Sequence, residues 1–306
     1  MNKQPTGTHY LLLLGIALIW GSQYIFNQIA VQQLPPLTLA AGRAGLGAMT
    51  LALIGLFMPE ERRRCATQAR KQWGTYLQLA FFEALLPMYL ISWGQSRIES
   101  SIAAILMGTI PIFTLLLAPM IVGGKHWRPT TIASVISGFI GIVVLVGPSL
   151  HGGASNSLIG ECAILGAAAS VSISLLLFSR LGETSPVISV RNILGIATVP
   201  LIILSCVFEQ PWNLYVDLST LEALAILGVF CAGLVYLMFA RLIQLAGSVF
   251  TSLTNYLCPL VGVLLGALVA GEAVGLNAWL ALVLIAAALV INQPKLLLRL
   301  FKSKPN

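Results

Sequence analysis

The chain has 306 residues, 58% of them hydrophobic and 9% charged, with a net charge of +7 and a mean hydropathy of +0.91. A soluble domain carries about 25% charged residues, so this composition excludes an ordinary soluble globule. The basic balance does not call for nucleic acid either, because the placement of the charges accounts for it.

A bilayer core of about 30 Å needs about 20 apolar residues per helix. Blocks of that length predict helices over residues 10–31, 37–58, 74–95, 101–122, 130–148, 159–178, 187–208, 221–241, 249–270 and 278–293. The expected fold is all-α and integral to the membrane, with ten transmembrane helices. The segment Met1–Thr8 is short, and the first apolar block passes Trp20 without a small-residue cleavage site. A retained first helix is therefore expected, not a signal peptide. With the N-terminus inside, fourteen of the seventeen Lys and Arg residues fall on the cytoplasmic side, several of them in the loop Pro59–Trp73. Arg97 alone falls outside, and Arg43 and Arg191 lie within helices. This positive-inside bias predicts that both termini are cytoplasmic. The five cysteines show neither metal-site nor disulfide spacing.

Five helices precede the Gly/Ser-rich segment Ser149–Ser157 and five follow it. The expected organisation is a first repeat at 1–148, a linker loop at 149–158 and a second repeat at 159–306 with a basic tail. Arg43, Gly47, Thr50 and Pro111 recur 148 positions later as Arg191, Gly195, Thr198 and Pro259, with Ser22/Ser170 and Gly123/Gly271 in the same register. Tyr89 matches Tyr236 at 147. Two copies of an odd number of helices must sit inverted relative to each other, which is the layout of an alternating-access transporter.

The run WGSQY at Trp20–Tyr24, the arginine pair, the segment Ala103–Gly123 around Pro111 and the stretch Tyr256–Glu272 resemble the EamA family of the drug/metabolite transporter superfamily. The resemblance spans roughly residues 10–292. It implies a ten-helix inverted-repeat exporter of small metabolites, typically amino acids or related compounds. The first copy departs from the pattern, with Gly124 where the second has Glu272.

Glu83 falls near the middle of the third helix, on a face reading Tyr76, Ala80, Glu83, Pro87 and Gly94. An ionisable residue inside a bilayer is costly and tends to face the bundle interior. Two readings stand for it: a carboxylate that carries the coupling proton, or one that ties neighbouring helices together. Arg43 and Arg191 lie within about two turns of a helix end, where a long basic side chain can snorkel to the interface; alternatively, one of them binds a substrate carboxylate. Trp20, Gln23, Tyr24 and Asn27 share one face of the first helix, and Thr251, Asn255, Pro259, Gly262 and Gly266 share a stripe of the ninth. With Tyr89, Tyr236 and Tyr256, these amides and aromatics are candidates for a solute pocket. Pro111 and Pro259 each remove a backbone donor and free a carbonyl, of Met107 and Asn255, so both are candidate helix breaks near a central site.

No phosphate-binding loop, HExxH pattern or metal-spaced Cys/His set occurs in the sequence, so no cofactor or metal is expected. The expected partners are a small-molecule substrate, the lipid bilayer and protons as co-substrate. The expected function is secondary active export of amino acids or related metabolites across a plasma membrane, of the bacterial inner-membrane type. The alternatives are a nucleoside or methyl-donor importer or exchanger and, from another class, a membrane-embedded lipid-modifying enzyme. The last would need acidic and His residues clustered at one interface, and the ten acidic residues here are scattered.

Overall fold

A computed structural model describes residues 6–57, 72–121, 123, 129–151, 155–181 and 185–292. The loop Pro59–Trp73, apart from Gln72 and Trp73, and the positions of Gly124, Lys125 and Arg128 lie outside them, as does the basic tail beyond 292. The described residues are helical with no strand. In chain order the helices are α1 (Gly7–Ala30), α2 (Pro36–Leu56), α3 (Trp73–Gln95), α4 (Ser100–Ile121), α5 (Pro129–His151), α6 (Ser155–Phe178), α7 (Pro186–Phe208), α8 (Leu218–Ala246), α9 (Thr254–Leu268) and α10 (Leu276–Asn292). The first eight are long and apolar enough to cross a membrane, and α9 and α10 contain shorter apolar helices. Exposed Leu11, Leu18, Ile140, Val143, Ile203 and Val283 stud their outer faces. Such faces would be a liability in water but match hydrocarbon. The chain is an integral membrane protein.

Local chemistry sets the helix starts. Thr6 and His9 form a capping box, with the Thr6 backbone N–H donating to His9 Nδ1 at 2.8 Å. Pro36 and Pro186 occupy the first helical positions of α2 and α7, where a missing N–H costs nothing. Asp217 caps α8 by accepting from the Thr220 backbone N–H at 2.9 Å. The region around the expected joint at 149–158 is helical on both sides, since α5 runs to His151 and α6 starts at Ser155.

Two of the expected spans are interrupted, one of them beside the candidate break Pro111. α4 is interrupted at Gly108–Thr109 and resumes as Ile110–Ile121. Thr109 Oγ1 donates to the Leu106 carbonyl at 2.6 Å there. Pro111 thus sits in the first turn of the second piece, where its lost donor is harmless, and not in mid-helix. The ninth span, expected from residue 249, is divided into a short helix Ser248–Thr251 and α9 proper, leaving Pro259 inside α9. Gly108 faces Pro259: a β-carbon added there would lie 2.9 Å from the proline Cγ.

α3 and α8 each contain a π-helical stretch, Ala80–Leu85 and Ile226–Leu234. A π-segment inserts one residue per turn and rotates the face that follows it. In α3 the buried side becomes Tyr76, Ala80, Ala84, Met88 and Ile91. α2 is wedged between α7 and α8. Gly47 lies against Ala232, and Gly233 lies against Thr50, close enough that a β-carbon at either glycine would fall within 3.0 Å of a neighbour. Elsewhere α1 packs on α9, α3 on α6 and α5 on α10, the last pair joined by Ser137 Oγ donating to the Leu284 carbonyl at 3.1 Å.

Candidate functional site

Glu83 lies in the π-stretch of α3, and its carboxylate accepts from two hydroxyls. Ser174 Oγ on α6 donates to Oε2, and Tyr236 OH on α8 donates to Oε1 at 3.0 Å. The Tyr236 ring stands edge-on to Trp20 of α1, with centroids 5.7 Å apart. Trp20 Nε1 donates to the Cys231 carbonyl at 3.3 Å. That carbonyl belongs to the π-stretch of α8, where the usual i−4 pairing is disturbed and acceptors are freed. Three helices therefore meet at one carboxylate, and α1 packs against its tyrosine partner. Among the described residues no cation pairs with it.

The nearby cation lies on α2. Arg43 is 6% exposed and donates from Nη2 to Gln23 Oε1 on α1, while its Nε and Nη1 have no hydrogen-bond partner. It sits within electrostatic reach of Tyr24, Cys231 and Tyr236. It does not snorkel. Its repeat partner Arg191 is only partly buried and is satisfied on its own helix, donating to Asn192 Oδ1 from Nη2 at 2.7 Å and Nε at 3.2 Å.

Further along α1, Asn27 is fully buried and accepts from Ser92 Oγ of α3 at 3.2 Å, with Nδ2 unpartnered. Gln95 of α3 donates to the Tyr24 carbonyl at 2.8 Å, and its Oε1 is unpartnered. Tyr24 itself is buried and lies against α9, where a β-carbon at Gly262 would be 3.1 Å from its ring. Tyr256 keeps a buried hydroxyl without a partner. Asn255, expected in the pocket, is instead exposed on the first turn of α9. The break before Thr254 sets the rotation of that turn, so the face read from a continuous ninth helix does not hold at its start.

At one end of the bundle the connections 31–35, 96–99, 209–217 and 269–275 meet. Glu209, after α7, accepts from the backbone N–H groups of Leu37 and Thr38 at 2.9 and 2.6 Å, and from Thr38 Oγ1 at 2.8 Å. Glu272, after α9, accepts from Ser100 N at 2.8 Å, Ser100 Oγ at 2.6 Å and Ser101 N at 2.9 Å. Each carboxylate thus caps the start of a distant helix, where N–H groups lack partners and the dipole favours negative charge. Gly266 makes room for this, since a β-carbon there would fall 2.5 Å from Glu272 Oε2. Burial pushes the Glu272 carboxyl up, but the bonds from Ser100 and Ser101 outweigh it and hold the group below the ordinary glutamate range. Burial, together with the Glu272 charge, pushes Glu99 above that range. Asp217 is held down to about 2 by the Thr220 N–H, Gln33 and Ser219. Gln33 and Asp217 also bond reciprocally, at 2.7 and 2.9 Å. A cavity of about 670 Å³ opens beside this rim, lined by Tyr89, Trp93, Arg97, Phe208 and Glu209 among others. Arg97 stacks 3.7 Å from the Trp93 ring.

The structure brings Glu83, Tyr236 and Trp20 together in one group and Arg43, Gln23 and Tyr24 in another. Tyr89 stands apart in the rim cavity, and Arg191 and Asn255 belong to neither group. Sequence reasoning missed Ser174, Glu209 and the role of Gln23 as Arg43's acceptor. A serine in an apolar helix carries no positional signal, and Glu209 reads as an ordinary loop charge. Among the described residues no group of three or more His, Cys, Asp or Glu could hold a metal ion.

The EamA-like transporter family profile matches this chain twice, over residues 7–147 and 158–292. The uncharacterized transporter YoaV of Bacillus subtilis is 23% identical over 282 residues, covering 92% of this chain and 94% of that protein. The uncharacterized inner membrane transporter YedA of Escherichia coli K12 is 27% identical over 293 residues, covering 91% of this chain and 88% of that protein. A solved crystal structure, 18% identical, superposes with a TM-score of 0.64 over 98% of this chain and 100% of its own, a likeness of fold.

Proposed function

The chain belongs to the EamA-like transporter family and is a membrane transporter, and from that premise we propose that it exports amino acids or similar small metabolites across a bacterial inner membrane, by alternating access and against proton entry. In this reading ten helices form two inverted five-helix halves with both termini cytoplasmic. Supporting inversion are the 148-residue register, the shared left-handed backbone of Gly123 and Gly271 (φ +80° and +67°), and the π-stretches in α3 and α8. That the Escherichia coli relative is named an inner membrane transporter supports the location. By the positive-inside bias, the rim that Glu209 and Glu272 occupy faces outward.

One observation carries the coupling. Glu83 belongs to the first half, and both its partners, Ser174 and Tyr236, belong to the second. Rocking one half against the other must stretch or break these bonds. A carboxylate about to lose its donors in a low-dielectric interior is far costlier than a protonated carboxyl. Protonation of Glu83 therefore lowers the barrier to the conformational exchange, and release of that proton on the other side resets it. The test is transport in proteoliposomes with and without a pH gradient. Glu83→Gln mimics the protonated state and is expected to abolish gradient-driven accumulation while leaving solute exchange intact. Undiminished gradient-driven accumulation in this variant would sink the coupling role.

A further inference from the structure

Arg43 is a buried charge with little compensation. A buried guanidinium with one neutral acceptor and no counter-ion bears most of its desolvation cost unrelieved. Polar atoms left unpartnered in a native interior usually mark a missing water, ion or ligand. Duplication of the sequence does not explain the state of Arg43, because Arg191 in the other copy binds Asn192 through two nitrogens. At Arg43 the unmet need is for an acceptor. Nε and Nη1 of Arg43 lack one, and so does Nδ2 of Asn27, one turn along α1 from the Gln23 that holds Arg43. The guanidinium lies within electrostatic reach of Tyr24 on α1 and of Cys231 and Tyr236 on α8.

We propose that Arg43 is the anion subsite of the transport site and that the transported solute docks a carboxylate on its free Nε and Nη1. This rests on the reading of the chain as an exporter of amino acids or similar small metabolites, but not on Glu83 as the coupling group. Gln23 then serves as a placeholder acceptor that keeps the guanidinium oriented while the site is empty. The planar fork of arginine suits a carboxylate, and a lysine at the same position supplies charge without the fork. A solute lacking the anionic group leaves the guanidinium uncompensated and binds poorly, since an unpaired charge costs more than a missing contact.

The test uses full-length protein in detergent and follows its melting temperature against leucine, phenylalanine, glutamate and succinate, the carboxamides of the same compounds, and sodium phosphate and chloride. At least one free acid is expected to stabilise the protein in a saturable way, and its amide is expected to fail at the same concentration. Arg43→Gln should weaken that acid by about 10- to 100-fold, with Arg43→Lys intermediate. If Arg43→Gln does not fold, the acid-over-amide preference of the wild type and its reduction in Arg43→Lys decide the matter. The inference is overturned by equal stabilisation from acid and amide, by unchanged affinity in Arg43→Gln or, where that variant does not fold, in Arg43→Lys, or by a panel in which no acid binds. Phosphate or chloride stabilising as well as every acid would also overturn it, by assigning Arg43 to an inorganic ion. Acid binding is read on the wild type without a pH gradient, so failure of proton coupling and failure of the anion subsite are distinguishable.

Discussion

Glu272 at the rim and Arg43, two turns into α2, are both charged, yet their surroundings are opposite. Glu272 accepts three hydrogen bonds from the start of α4 and fits a space left by Gly266. Arg43 has one partner on α1 and two nitrogens with none. A satisfied charge at a helix start works as a clasp, whereas an unsatisfied buried one has hydrogen-bonding capacity to spare. All three rim contacts, of Glu209, Asp217 and Glu272, join residues of the second sequence half to residues of the first. The rim therefore holds its charges in completed hydrogen bonds, whereas Arg43 keeps two unpartnered nitrogens.

The comparison breaks most visibly at Gly266. A valine there must expel the Glu272 carboxylate, combining overpacking with lost charge-assisted bonds, and is expected to cost about 3 kcal/mol in thermal unfolding. Acid binding at the centre should not change; a loss as large as that of Arg43→Gln would mean that rim and centre are one unit. Tyr236→Phe probes the centre with the opposite signature. It removes one of Glu83's two donors but keeps the ring against Trp20, so gradient-driven transport should fall about tenfold, while the stability loss, about 1 kcal/mol, stays well below that of the glycine variant.

The smallest effect is the pH response of the rim. Glu99 lies above its ordinary value near 4.5, so it takes up its proton first as pH falls from neutral. Its folded value exceeds the unfolded one, so that protonation adds stability. Glu272 lies below its ordinary value, so its contribution persists until pH falls through that lower value and is then lost. The melting temperature should therefore rise slightly, pass a maximum and fall. Glu272→Gln, costing about 1 kcal/mol at neutral pH because solvent screens the half-exposed site, should flatten both limbs. A wild-type curve that only falls would remove Glu99 from the account.

Much of the architecture was legible in the sequence because a membrane helix is announced by a local run of apolar residues. Segments such as α2 and α7 begin within a residue of their expected starts, where prolines mark the first turn. Glu83 and Arg43 were visible as candidates because charge in an apolar run is conspicuous wherever it points. The ninth helix was misread where Ser248–Thr251 separates from α9, and Asn255 went with it. That interruption involves Gly247, with φ +82°, and the turn at 252–253, neither of which disturbs hydropathy.

By itself, then, the amino-acid sequence determined that this protein lives in a bilayer, where most of its helices lie, and which buried residues carry charge. All of these follow from the transfer cost of each residue in its own short segment. Only the tertiary structure decided that Arg191 is satisfied while Arg43 is not, that Ser174 and Tyr236 meet at Glu83, and that Glu272 reaches Ser100 across 172 positions of chain. Those outcomes depend on the rotation and register of one helix against another. Two π-stretches and a few glycines set them over distances at which local periodicity carries no information.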